Sequence, residues 1–157
     1  MSEADKAYEK ALSFLEKRDR TEREIENRLL KAGFPEEIVL TVLGRLREAG
    51  FVNDENYAAR YMDSLMAKGR GKLRISAEMQ RKGLQDELIR NTLEDKSSDA
   101  DERTRALRAA RREWAGVPEG ADSRKAASKV SRKLVSLGYT YEVIGEVMSE
   151  LMKDEGI

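Results

Sequence analysis

Gly69-Arg70-Gly71-Lys72-Leu73-Arg74-Ile75-Ser76-Ala77-Glu78-Met79-Gln80-Arg81-Lys82-Gly83-Leu84 occupies the middle of the chain, and the flanking sequence repeats its pattern. Aligned on Gly83, Gly33 and Gly138 fall into one column, at periods of 50 and 55 residues. The next residue is Phe34, Leu84 or Tyr139. Four before the glycine stand Leu29, Met79 and Leu134; eight before stand Ile25, Ile75 and Val130. Five after come Ile38, Leu88 and Val143, and ten after come Leu43, Leu93 and Met148. An internal repeat of this length points to stacked supersecondary units.

The columns have a physical meaning. Offsets of minus eight and minus four share one helix face. The glycine ends that helix, because the residue just past a helix end commonly takes a left-handed conformation. The residue after it then touches the residue three inside the end, which pairs Phe34 with Leu29, Leu84 with Met79 and Tyr139 with Leu134. A second helix follows at once, with apolar residues at plus five, plus nine and plus ten. Pro35, Glu36 and Glu37 suit a helix N-terminus.

Composition narrows the class. The chain has 157 residues, 38% charged and 39% hydrophobic, with formal net charge zero. A global attraction to nucleic acid is therefore absent, but the charge is unevenly spread. Residues 68–82 carry six basic side chains and one acidic, residues 103–133 ten and three, and residues 142–155 one and five. Without cysteine or histidine there is no disulfide scaffold, and the commonest general base and metal ligand are missing. The N-terminus carries no signal-peptide pattern and no apolar run is long enough to span a membrane, so the expectation is a cytoplasmic protein.

Read in order, helices are expected over 4–18, about 22–32 and 35–49, then from Asn53 or Asp54 to the Gly69 turn. The remaining ones are 72–82, 85–94, 99–114, 124–137 and 140–153. Thr21 and Glu24 form a capping box, and Ser98 caps the helix from Asp99. Tyr57, Tyr61 and Trp114 read as core residues, with base stacking the functional alternative for the tyrosines. The result is all-α: nine helices in three three-helix units that share cores with their neighbours.

The middle unit resembles the RecX family, regulators of the RecA recombinase. The likeness rests on Asn53-Asp54-Glu55-Asn56-Tyr57-Ala58, on Lys68-Gly69-Arg70-Gly71, on Leu73-Arg74-Ile75, and on Glu78-Met79-Gln80-Arg81-Lys82-Gly83-Leu84. Met79 stands where the family usually has leucine. The first unit fits through Leu12, Arg20-Thr21-Glu22-Arg23-Glu24 and Leu29-Leu30-Lys31-Ala32-Gly33-Phe34. The third unit fits less closely. The resemblance implies three tandem three-helix repeats, 1–52, 53–97 and 98–157, forming an elongated array. It also implies binding along RecA–DNA filaments and inhibition of recombinase and coprotease activity.

Two basic stretches are the candidate partner-binding site. Lys68, Arg70 and Lys72 come from the glycine turn; Arg74, Arg81 and Lys82 come from the helix after it. Arg74 and Arg81, seven apart, share a face. Lys125, Lys129 and Arg132 share a face further on, as do Arg108 and Arg112, and stacking of the third unit on the second would join the two basic edges. The alternative for each stretch is a solvated helix face. Carboxylate pairs such as Glu36-Glu37 sit at helix N-termini, and Gly69-Arg70-Gly71-Lys72 lacks phosphate-loop spacing. The expectation is thus a non-enzymatic regulator without cofactor or metal, a monomer acting on RecA filaments, with at most weak direct nucleic-acid contact. The rival reading is a helix-turn-helix DNA-binding module, disfavoured because helices 35–49 and 85–94 are not basic.

Overall fold

Ser2 begins the first helix because its hydroxyl can take the place of a missing turn. The Asp5 N–H donates to Ser2 Oγ at 3.1 Å, and the Asp5 carboxylate accepts from the Ser2 N–H at 3.3 Å. Thr21 with Glu24 and Ser98 with Asp101 make the same reciprocal pair, as their spacing predicts. Asn53 caps a further helix, accepting from the Asn56 N–H at 3.0 Å. In the computed structural model, which describes residues 1–157, these starts give nine helices and no strand. They are α1 Glu3–Lys17, α2 Glu22–Lys31, α3 Glu36–Glu48, α4 Asp54–Ala67, α5 Lys72–Arg81, α6 Asp86–Lys96, α7 Asp99–Ala115, α8 Ser123–Leu137 and α9 Tyr141–Asp154.

The repeated glycines end α2, α5 and α8 with φ of 96°, 83° and 97°. Phe34, Leu84 and Tyr139 each return an N–H to Leu29, Met79 and Leu134 at 3.2 Å, the bond expected of that ending. The columns four and eight before the glycine are fully buried in all three copies. The following helix differs from expectation. Ile38, Leu88 and Val143 are only half-buried, and the buried column is one residue on, at Val39, Ile89 and Ile144. Offsets of six, nine and thirteen place Val39, Val42 and Leu46 on one helical stripe, and Ile144, Val147 and Leu151 repeat it. Leu43 is buried too, beside that stripe.

The chain packs as two compact units, and the division falls within α4, α5 and α6. Unit 1 is Met1–Tyr61 with Met79–Ile89; unit 2 is Met62–Glu78 with Arg90–Ile157. In unit 1, α1, α2 and α3 pack on one another around Ala7, Ala11, Ile25, Leu29, Val39, Val42 and Leu46. The small Ala7 and Ala11 let α1 approach closely. In unit 2, α7, α8 and α9 close around Ala106, Ala110, Val130, Leu134, Tyr139, Val147 and Leu151, with Trp114 half-buried against that core. Each buried aliphatic side chain contributes roughly 1.5–3 kcal/mol by leaving water. No helix is long and apolar enough to cross a membrane.

Candidate partner-binding site

The turn after α4 is built to project cations. Gly69, at φ 78°, closes α4: its N–H donates to Met66 C=O at 2.9 Å, and Arg70 N–H to Leu65 C=O at 3.1 Å. The turn is then clamped to the end of α8. Tyr139 Oη donates to the Gly69 carbonyl at 2.6 Å, Gly71 N–H to Leu137 C=O at 2.8 Å, and Leu73 N–H to Gly138 C=O at 3.0 Å. A Cβ on Gly71 would lie 2.6 Å from the Gly138 backbone, so only glycine permits this approach. Glu102, buried on α7, accepts from the Lys72 N–H at 3.0 Å and caps α5. Burial raises the Tyr139 pKa, opposed by the Arg105 and Arg70 guanidinium groups.

This clamp sorts the basic residues of the turn. Lys68 and Lys72 point into solvent. Arg70 is half-buried and folds back on the Lys68 carbonyl at 3.4 Å. Arg74 is structural: its Nη1 donates to the Ser136 carbonyl at 3.1 Å, its Nε lies 3.6 Å from Glu78, and its backbone packs on Gly138. Sequence periodicity shows which face a side chain takes, not whether a neighbouring carbonyl is waiting there.

Arg81 and Lys82 belong to unit 1. Arg81 is exposed. Lys82 is half-buried, its Nζ 5.6 Å from the Tyr61 ring centre, and its carbonyl accepts from Thr21 Oγ at 2.5 Å. Thr21 is wholly buried and also accepts from the Glu24 N–H at 3.2 Å. Asp54 accepts from the Glu22 N–H at 3.0 Å, at the same helix start. Burial and the Glu22 and Glu24 charges raise the Asp54 pKa, against the pull of that N–H. Glu24 goes the other way. Burial would raise it, but the Arg18 guanidinium, at 2.7 Å, and the Thr21 N–H hold it below the usual carboxylate value.

Tyr57 and Tyr61 are half-buried, ring centres 5.8 Å apart, along a groove edged by Arg18, Asp19 and Arg60. The rings expected in the core are half-buried, while Ala58 and Met62 of the same helix are fully buried.

On α8, Lys125, Lys129 and Arg132 lie exposed on one face, opposite buried Ala126, Val130 and Leu134. None of the three makes an ion pair. Arg132 stands with Arg124 and Lys153 on the rim of an open groove of about 880 Å³, floored by Ala127, Met148 and Met152. In unit 2, Arg108 and Arg112 of the second basic stretch, with Arg105, face the end of α4 and not the cations of the first stretch. Arg105, Arg108 and Arg112 of α7 line a small cleft with Met66, Ala67 and Gly69 at the end of α4. Arg105 carried no signal of its own, because the contact depends on tertiary packing.

The family model described as the first three-helix domain of RecX matches residues 7–46, and that of the second matches residues 53–93. The chain is 36% identical over 153 residues to the "Regulatory protein RecX" of Mycolicibacterium vanbaalenii, covering 92% of this chain and 81% of that one. It is 33% identical over 150 residues to the protein of that name from Clostridium acetobutylicum, covering 94% and 70%. The crystal structure of RecX from Lactobacillus salivarius superposes with a TM-score of 0.83 at 23% identity, covering 94% of this chain and 96% of that one, which shows a shared fold.

Proposed function

The chain belongs to the RecX family, and from that premise we propose that it is a non-enzymatic regulator that binds RecA–DNA filaments and restrains their recombinase and coprotease activity. The relatives are named as regulatory proteins, which supports a role exerted by binding. The observation that carries the reading is a set of cations spent on nothing within the fold. Lys68 and Lys72 project from a rigid turn, and Lys125, Lys129 and Arg132 from one face of α8. Holding like charges in place without internal partners costs stability, which an acidic polymer surface would offset. Three tandem repeats, the third over 98–157, would give several such contacts along a filament, where weak contacts add.

The test is inhibition of RecA's DNA-dependent ATPase by the wild type, by Lys68→Glu with Lys72→Glu, and by Lys125→Glu with Lys129→Glu. Arg74 is left alone because it holds the Ser136 carbonyl. Each double variant should keep its helical circular dichroism and lose inhibition. Wild-type inhibition should weaken as salt rises, since exposed charges are screened beyond about 8 Å at physiological ionic strength. Full inhibition by both folded variants would remove these faces from the binding surface.

A further inference from the structure

Residues 142–155, in α9 and its C-terminal cap, hold five acidic side chains and one basic. The fold sorts them. Glu146 and Asp154 turn toward α7 and pair with Arg103 at 3.2 Å and Arg111 at 2.8 Å. Lys153, the one cation, lies on the rim of the open groove between α8 and α9. None of the five acids reaches that groove, whose only charged residues are Lys153, Arg124 and Arg132. All three are exposed, and none makes an ion pair. On a chain of zero net charge, one groove has been cleared of carboxylates.

The groove lies within unit 2, and its floor is as apolar as its rim is basic. Met148 and Met152, four apart on α9, are half-buried against the core of α7, α8 and α9 and line the groove beside Ala127. Gly145 and Ser149 wall the α9 side with almost no side chain, and a Cβ added to Gly145 would meet nothing within 4 Å. These small residues hold open a space of about 880 Å³. From position 145 to position 153 the helix advances about 12 Å at 1.5 Å per residue, or two turns.

We infer that this groove docks an amphipathic helix of a partner protein, with apolar residues on one face and acidic residues beside them. The molecule already covers this helix pair in that way on its core face, where α7 packs on α8 and α9 through Ala106 and Ala110. A docked helix lays its residues at i, i+3, i+4 and i+7 into an apolar groove. Unbranched, polarizable methionines suit a floor that receives side chains of more than one shape. Acids flanking that stripe would meet Arg124, Arg132 and Lys153, the complement of a rim without carboxylates. A small molecule would be left largely uncovered in so open a groove. An anionic lipid surface fits less well, because the methionines form a floor and do not project beyond the cations. The inference is separate from the RecA reading: of the cations used there, only Arg132 reaches this groove.

The experiment uses the purified full chain with neither RecA nor DNA. The probe is a fluorescein-labelled peptide of about 14 residues, with leucines at helical spacing and glutamates on both flanks of that stripe. One control peptide carries lysine for every glutamate; another has the acidic composition in shuffled order. Anisotropy should show saturable binding of the acidic peptide, roughly tenfold weaker binding of the lysine peptide and none of the shuffled one. Gly145→Gln with Ser149→Gln fills the wall with exposed, helix-favouring side chains, so the fold should hold and binding should fall by about tenfold or more. Arg132→Gln with Lys153→Gln should weaken binding roughly threefold to tenfold and remove most of its salt dependence. Methionine methyl resonances locate the peptide. Those of Met148 and Met152, assigned with single leucine variants, should shift, and those of the fully buried Met62 and Met79 should not. Absence of saturable binding, or binding undiminished by the filled wall in a folded variant, overturns the inference. Binding of phosphatidylcholine–phosphatidylglycerol vesicles through Met148 and Met152 in place of the peptide assigns a membrane surface and overturns it. A wild-type dimer that the filled wall dissociates assigns a second copy to the groove and overturns it too.

Discussion

The start of α2 and the start of α5 solve one packing problem with different chemistry. Each receives a carboxylate from a later helix on its first N–H: Asp54 on Glu22, Glu102 on Lys72. Each also packs on a left-handed glycine ending a later helix, Gly83 against Arg23 and Gly138 against Arg74. The first junction, within unit 1, is sealed by a side chain, the Thr21 hydroxyl on the Lys82 carbonyl. The second, within unit 2, is sealed by backbone: Gly71 and Leu73 N–H groups on the Leu137 and Gly138 carbonyls. Thr21 and Gly71 occupy the same repeat column yet share no chemistry. The difference shows that the repeat preserves a junction, and that the residue there follows how closely the backbones approach.

The largest test of this comparison is a glycine series. Gly138→Ala adds a strained left-handed alanine and forces its Cβ to within 2.5 Å of the Arg74 nitrogen, so a loss of about 3–5 kcal/mol is expected. Gly83→Ala meets the Cβ and Cγ of Arg23, and a Cβ moves only with its backbone, but the Arg23 Cα stays at 3.7 Å, so α2 must shift less and the loss is about 2–4 kcal/mol. Gly33 has the same conformation and nothing within 4 Å, so Gly33→Ala should cost only the strain, about 1–2 kcal/mol. Urea unfolding followed by circular dichroism gives the order. Equal losses at the three sites would reduce all three glycines to helix endings and break the junction argument.

That series also shows what the sequence makes legible. The column of Gly33, Gly83 and Gly138 is visible in the sequence, and so is the helix each one ends. Its second duty at two of the three positions is not, because Arg23 and Arg74 lie far from their glycines in the chain. Helix starts were readable because Ser, Thr and Asn cap locally. The buried stripe of α3 and α9 was displaced by one residue, since Ile38 and Val39 are both apolar and only packing chooses between them. The candidate site was legible as charge and not as availability. Lys72 and Arg74 look alike in sequence, but one is solvated and the other holds a carbonyl on α8.

A smaller effect sharpens the chemical difference between the junctions. Thr21→Val keeps the shape of a fully buried side chain and deletes its hydroxyl. The Lys82 carbonyl loses its donor and the Glu24 N–H its acceptor, for a loss of about 1–3 kcal/mol. Thr21→Ser should recover most of it. If valine is tolerated as well as serine, packing and not the hydroxyl seals the first junction, and the two junctions are more alike than their bonds suggest.

The smallest expected effect is a pH dependence belonging to the first junction, where two carboxylates are shifted in opposite directions. Glu24 titrates below its ordinary value because the Arg18 and Thr21 bonds outweigh burial. Its contribution is therefore present above the unfolded carboxylate value and lost as pH falls through the folded one. Asp54 titrates above its ordinary value, chiefly through burial. Its contribution is present below the unfolded value and lost as pH rises through the raised one. Glu24→Gln should thus be less stable than the wild type at pH 7, with the deficit shrinking in acid. Asp54→Asn can still accept from the Glu22 N–H, and its stability relative to the wild type should improve from acid to neutral pH. The measurement is urea unfolding of both variants and the wild type between about pH 3 and pH 7, a window that brackets the ordinary carboxylate values. Parallel pH profiles for the two variants would mean that these carboxylates share one environment, and the junction would lose its claim to hold one carboxylate ionised while favouring protonation of the other.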